Sequence, residues 1–301
     1  MSNQELEQVI EKIRASRAGW DENTSMETIR IDLDVLACSF AGVAGSTVDQ
    51  LDANGVPAEF VAAPSAGSDG VVLYLHGGGF AVHSAKSHRH LAQWISNAAG
   101  VRVLVVDYRL VPEHRFPAQL EDARAAYDWL LQRGTDPGKL CIAGDSAGGG
   151  LALALTAVLR GAETALPAGV ATVSAWADAR CAGNSYRELA DVDPVGIYDM
   201  ALSMGADYVG EGGNLDDPYA SPVHLDYAGF PPLLLQVGTR DMFIDDSRTV
   251  AAAARAAGVS VQLDEWAGMI HQWPMYAAEL EEGRRAIDEM GGFIRRCISA
   301  R

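Results

Sequence analysis

The sequence predicts an α/β protein, a mostly parallel sheet of eight strands flanked by helices and covered by a helical cap. Three observations predict it. Short β-rich runs alternate with helical stretches from about residue 46 onward. Two amphipathic stretches come before the first of those runs. One connection, between Ser174 and Leu233, is far longer than a simple crossover needs and should carry structure of its own.

In order along the chain, Leu6, Val9, Ile10 and Ile13 recur at helical spacing and make one apolar face. After the turn-like stretch Gly19 to Asn23, Thr24 and Glu27 stand at capping-box spacing ahead of Met26, Ile29, Leu33 and Leu36. A hairpin follows, with Asn54-Gly55 between Thr47–Leu51 and Val56–Val61. Six further strands are expected at Val71–Leu75, Val103–Val106, Leu140–Ala143, Val170–Ser174, Leu233–Val237 and Val261–Glu265. Helices should occupy Ser87–Ala99, Gln119–Gln132, Gly149–Arg160 and Asp246–Ala257. In the long connection, Asp193-Pro194 reads as an N-cap with proline at the first helical position, leading into Ile197, Met200, Ala201, Met204, Gly205 and Tyr208. The chain then divides into N-terminal cap helices (1–45), a first part of the core (46–180), an inserted cap helix (181–214) and the rest of the core (215–301). Such a cap would lie over the carboxyl ends of the strands, where open α/β sheets bind ligands; an ordinary packed helix is the plainer reading.

At 301 residues, 49% hydrophobic and 21% charged, the chain can bury a large core. Its net charge of -17 argues against nucleic acid or an anionic membrane as partner, because both require basic patches. Neither a signal-like N-terminus nor a membrane-spanning apolar run is evident, so a cytoplasmic location is expected. The four cysteines (Cys38, Cys141, Cys181 and Cys297) have no metal-like spacing, so neither a metal nor an organic cofactor is expected.

The chemistry concentrates in a few places. Gly144-Asp145-Ser146-Ala147-Gly148 follows a strand and precedes an apolar helix. That context suits a sharp turn holding a serine hydroxyl out at a strand end; the five-residue pattern alone is weak. A hydroxyl needs a base to remove its proton, and the oxyanion formed on attack needs preorganised donors. His76-Gly77-Gly78-Gly79-Phe80 follows the strand Val71–Leu75. Its glycines let backbone amides approach a ligand, so Gly78 and Gly79, with Ala147, are the expected oxyanion donors. A phosphate loop is the rival, but no Gly-Lys-Ser/Thr follows.

On such a turn the partners come in the order serine, acid, histidine. Of seven histidines only His224 and His271 follow Ser146, and His224 precedes the strand after which the acid should lie. His271 is the candidate base. Asp241, just past Val237-Gly238-Thr239, is the candidate acid. Asp245 and Asp246 are rivals whose plainer role is charge and capping at the start of the next helix.

At these residues the chain resembles the bacterial hormone-sensitive-lipase-like esterases of the α/β-hydrolase fold. The resemblance covers roughly residues 55 to 300. It includes His76 to Phe80, Asp107-Tyr108-Arg109-Leu110-Val111-Pro112-Glu113-His114, Phe116-Pro117-Ala118, Glu121-Asp122-Ala123, Gly144 to Gly149 and Ser221-Pro222. Around Val237 to Ser247 and Met269 to Trp273 it is most similar to the branch holding monoterpene ε-lactone hydrolases and short-acyl esterases. The resemblance implies Ser146, Asp241 and His271 as triad, Gly78, Gly79 and Ala147 as oxyanion hole, a small neutral ester as substrate and a homodimer formed through the last strand. It also implies that Arg109, Glu113 and His114 are scaffold. Ser174-Ala175-Trp176 and Met242-Phe243 depart from the common pattern and bear on pocket shape. Trp20, Phe80, Trp176, Tyr198, Met204, Tyr208, Ile270 and Trp273 are candidates to line that pocket, each equally at home in a core. The expected activity is carboxylic-ester hydrolysis through an acyl-enzyme. An amidase such as an arylformamidase, or a non-catalytic ligand-binding protein on the same scaffold, is the alternative.

Overall fold

The computed structural model describes residues 3–21, 23–194 and 198–300. The N-terminal stretches are helices α1 (Asn3–Ser16) and α2 (Met26–Cys38). Ser25 caps α2, accepting from the Thr28 amide, so the expected Thr24 box is one residue out of register. Thr24 instead accepts from the Asp21 amide in the preceding turn.

The hairpin pairs β1 (Thr47–Asp52) with β2 (Pro57–Ala62). Asn54 and Gly55 both take positive φ, 59° and 90°, and Ala53 donates to the Val56 carbonyl at 2.7 Å. That is the two-residue turn whose twist suits a hairpin. There follow β3 (Gly67–Leu75), α3 (Ala85–Ala99), β4 (Val101–Val106), α4 (Ala118–Gln132), β5 (Leu140–Asp145), α5 (Ser146–Gly161) and β6 (Gly169–Val173). Next are the short α6 (Ser185–Glu188), α7 (Tyr198–Val209), β7 (Leu233–Gly238), α8 (Ile244–Ala256), β8 (Val261–Trp266) and α9 (Glu281–Ser299). The last helix is absent from the sequence-based expectation, although Ala286, Ile287, Met290, Phe293, Ile294 and Cys297 mark its buried face.

The strands form one eight-stranded sheet in the order β1-β2-β4-β3-β5-β6-β7-β8. β2 runs antiparallel to β1 and β4, and every other pair is parallel. Alternate side chains of β3 leave by opposite faces. Leu73 and Leu75 join a core with α4, α5 and α8, whereas Val72 and Tyr74 join one with α3 and α9. Burying each such aliphatic side chain stabilises the fold by roughly 1.5–3 kcal/mol. The apolar face of α1 enters the second core and Leu33 of α2 the first.

In the long connection, α7 is described from Tyr198 onward, and residues 195–197, Ile197 among them, lie outside the described residues. Asp193, the expected cap, stands just before residues 195–197, so that expectation lies outside the described residues. Asp193 is buried, and its carboxylate accepts from the Met242 amide at 3.3 Å. Through that bond the carboxylate reaches the loop after β7.

Candidate active site

The ends of β3, β5, β7 and β8 converge on one cavity. Ser146 lies at the end of β5 and is itself the first residue of α5, three residues before the expected start. Its φ of 51° is left-handed, a conformation that costs a non-glycine residue about 1–3 kcal/mol and persists only when its surroundings enforce it. The flanking glycines do the enforcing. A Cβ on Gly144 would collide with the Gly148 carbonyl, and one on Gly148 with the carbonyls of Leu75 and His76. The turn can therefore pack directly against the end of β3.

His271 sits in the loop beyond β8. Its Nε2 is 3.0 Å from Ser146 Oγ, and its Nδ1 is 3.1 and 3.2 Å from the two carboxylate oxygens of Asp241. Two backbone bonds lock the loops of Asp241 and His271 together, Thr239 N to Trp266 O and Arg240 N to Met269 O, each 2.9 Å. The Phe243 amide also donates to Asp241 at 3.0 Å. Burial disfavours a charged imidazole, but Asp241, Asp193 and Asp145 together outweigh it and raise the His271 pKa above its ordinary value. An oxygen of Asp193, an oxygen of Asp241 and a ring nitrogen of His271 lie within 4.8 Å of one another, a set that could hold a metal ion.

The rivals of Asp241 face elsewhere. Asp245 accepts from Ser185 N, while Asp246 accepts from Ala177 N, Asp178 N and Tyr186 OH. Burial pushes the Asp246 pKa up to about 8. Its role is to hold the chain after β6 rather than to cap α8.

In the glycine loop, Gly78 (φ 115°) and Gly79 (φ 60°) take conformations that L side chains avoid. A Cβ would strike the Val82 carbonyl from Gly78 and the Met204 sulfur from Gly79. The Gly77 amide is already used, donating to Asp145 at 3.1 Å. Gly78 and Gly79 line the cavity beside Ser146 and His271. Ala147 does not line it, but its amide lies in the first turn of α5, where no intrahelical acceptor exists.

Sequence reasoning passed over what braces these parts. Asp145 also accepts from Tyr74 OH at 2.7 Å, approaches His88 Nε2 at 3.3 Å and is bonded by Gln272 Nε2. Burial would raise its pKa, but His88 and the hydrogen bonds from His88, Tyr74 and Gln272 prevail and hold it well below the usual carboxylate range. One carboxylate thus joins the glycine loop, the serine turn and the residue after His271. The available signal was its place beside Ser146 in the five-residue turn.

The cavity measures about 100 Å³ and is mainly apolar. Trp20, Ile29 and Leu33 reach it from the N-terminal segment, Met200, Ala201 and Met204 from α7. Of the expected lining residues Trp20, Trp176 and Met204 are there. Phe80, Tyr208, Ile270 and Trp273 are core instead, Phe80 stacked on Tyr208 at 3.8 Å, and Tyr198 also lies off the cavity. Met242 and Phe243, which the sequence had tied to pocket shape, line it too, and Arg17 and His83 line it without having been expected.

Residues 72–275 match the model of a family described by the α/β-hydrolase fold. An acetyl-hydrolase of Streptomyces hygroscopicus is 41% identical over 299 residues, 98% of this chain and 97% of that one. The chain belongs to this α/β-hydrolase family and is a carboxylic-ester hydrolase. The esterase LipU of Mycobacterium tuberculosis is 32% identical over 77% of this esterase and 80% of its own length. Among solved structures, an esterase of the bacterial hormone-sensitive lipase family superposes with a TM-score of 0.95 at 41% identity, covering 99% of both chains. The structure of EstE5 soaked with p-nitrophenyl butyrate superposes at 0.93 with 37% identity, covering 99% of this esterase and 100% of that chain. These neighbours place the esterase in the hormone-sensitive-lipase-like branch. Arg109 is held by Asp122 and Glu121, as a scaffold residue would be. No helix among the described residues is long and apolar enough to cross a membrane.

Proposed function

We propose that the esterase cleaves short-acyl esters by two-step acyl transfer through Ser146, with His271 as base and Asp241 as acid. The observation that carries this is the hydrogen-bonded line from Ser146 Oγ through the His271 ring to Asp241. His271 takes the hydroxyl proton as Oγ attacks the ester carbonyl, and the oxyanion settles on the amides of Gly78, Gly79 and Ala147. The alcohol departs with the proton from His271. Water, deprotonated by the same ring, then releases the acid and restores Ser146.

Cavity size supports a small acyl group. At about 100 Å³ it is smaller than the roughly 150 Å³ that holds a benzene ring in an apolar protein interior. The relative named an acetyl-hydrolase and the neighbour soaked with a butyrate ester point the same way. Its apolar lining favours neutral esters, and small lactones belong to the same proposal because ring opening needs the same attack. β8, with a sheet neighbour on one side only, is the edge through which we propose that two copies pair.

Ser146→Ala should fold with an unchanged circular dichroism spectrum and lose p-nitrophenyl acetate turnover by at least about a thousandfold. Substantial remaining turnover would overturn the assignment of Ser146. A panel running from acetate to long-chain esters, with a monocyclic lactone and an N-formyl aryl amine, tests the substrate class; equal rates on acetate and long-chain esters would refute the short-acyl reading.

A further inference from the structure

The cap insertion sends a carboxylate back to the proposed base. Asp193 lies between β6 and α7, far along the chain from both Asp241 and His271, yet is buried against them. Its carboxylate accepts from the amide of Met242, the residue next to Asp241, at 3.3 Å. One of its oxygens lies within 4.8 Å of both an Asp241 oxygen and a His271 ring nitrogen. A second buried anion at that range opposes the acid already present and faces Arg17 on its other side. The imidazole gains as well when it carries a proton, which in the proposed mechanism is the state formed as Ser146 attacks.

We propose that Asp193 is a positioning residue of the ester hydrolysis, a second carboxylate that fixes the Met242 backbone beside the acid and stabilises protonated His271. The proposal rests on the assignment of Ser146, Asp241 and His271 above. It makes the insertion part of the base, so the segment leading into α7 both supports the cavity wall and adjusts the group that activates the nucleophile.

Several groups set the local field. On the acidic side are Asp241 from the loop after β7, Asp145 from the end of β5 and Asp193 itself. Arg17, at the end of the first helical segment, is the facing cation, and its pKa is lowered by burial although Tyr276 and Asp193 act against that shift. His83 is held neutral by burial and by His88 and His76, and burial pushes the Tyr276 pKa up to about 12. Asp193 thus stands between one cation of the cap and the proton-carrying ring. Removing its charge should lower the His271 pKa.

The experiment is the pH profile of kcat/KM for p-nitrophenyl acetate, on the full chain, for the unaltered protein, Asp193→Asn and Asp193→Glu. Asp193→Asn should move the acidic limb to lower pH by roughly half to one unit, since one charge at this range is partly screened. It should also cut kcat at the plateau by about three- to tenfold and leave KM within about twofold. Asp193→Glu should return the limb toward its original position. In an Asp241→Asn background, Asp193→Asn should cost a larger factor than in the parent, because the second carboxylate is then the one that remains. If Asp193→Asn does not fold, Asp193→Ser carries the same prediction. An unmoved acidic limb, or a loss confined to KM, would overturn the proposal. Ser146→Ala separates the two readings. If it retains turnover, the triad assignment fails; if it is inactive while the limb of Asp193→Asn stays fixed, only the role of Asp193 fails.

Discussion

His271 is buried among carboxylates, and that determines how activity must depend on pH. With its pKa raised above 6.5, the ring stays protonated into the range where an exposed histidine would already be neutral. A protonated ring cannot take the Ser146 proton. The kcat/KM for p-nitrophenyl acetate should therefore fall as pH drops through a midpoint above 6.5. Asp241→Asn should shift that limb downward and lower the plateau by roughly a thousand- to ten-thousandfold, through loss of both charge and tautomer control. A midpoint at or below 6.5 in the parent would contradict the field drawn from Asp241, Asp193 and Asp145. At this scale much of the site was legible. Gly144, Ser146 and Gly148 announce their turn because local backbone strain leaves few other residues acceptable. Asp241 and His271 followed from chain order. Asp193 and Asp145 did not, since a carboxylate's burial and partners depend on segments far away in sequence. Asp193-Pro194 has the chemistry of a helix start, and only the folded insertion shows its carboxylate near His271.

Helix α2 shows what holds the cap in place. Arg30 donates from Nε to the Ala81 carbonyl and from a terminal nitrogen to the Val111 carbonyl, both at 2.7 Å. It also grips both oxygens of Glu113 at 2.8 Å. Ala81 lies just past the glycine loop, so this one side chain ties α2 to the segment that shapes the proposed oxyanion donors. Glu113 is about half exposed, and its ion pair should contribute little; most of the effect comes from the two carbonyls. Arg30→Ala should destabilise the esterase by about 1–3 kcal/mol in urea unfolding. It should also raise KM, because Ile29 and Leu33 of the same helix line the cavity. Glu113→Gln should cost less than about 1 kcal/mol. Equal losses in the two variants would assign the effect to the ion pair instead. The helix itself was readable from the period of Met26, Ile29, Leu33 and Leu36, but its cap was displaced by one residue, since Thr24 and Ser25 offer the same hydroxyl and only the turn from Asp21 decides between them. α9 is the larger omission. Its apolar face is interrupted by Gly283, Gly291 and Gly292, and at Gly291 a Cβ would meet the backbone of Ala98 at 2.6 Å. Glycine weakens the helical signal in sequence where it allows α9 to lie close against α3.

The whole molecule carries 40 acidic against 23 basic side chains, and this excess acts on every substrate that approaches. The parallel core and the helices on both faces were readable from alternating strands and helices, whereas the strand order came only with the fold. The net charge of -17 could be counted, but its effect at the cavity mouth could not. That effect depends on how the negative field of the molecule combines with Arg17, which lines a cavity with no carboxylate among the described residues of its wall. A field of one sign over the surface reduces the encounter rate of a like-charged ligand, and salt weakens it. An ester bearing a free carboxylate, such as mono-p-nitrophenyl succinate, should therefore show a lower kcat/KM than p-nitrophenyl butyrate at about 0.01 M salt. There the screening length is about 30 Å and the whole molecule is felt; at about 1 M it is about 3 Å and only Arg17 and its immediate neighbours act on the bound ester. The ratio of the two rates should narrow severalfold across that range. Butyrate hydrolysis, which meets no net field, should change much less and serves as the control for salt effects on folding or on His271. A ratio that stays constant would mean that discrimination against the anion arises at the cavity wall, from the shape set by Trp176, Met242 and Phe243 rather than from the charge of the molecule as a whole.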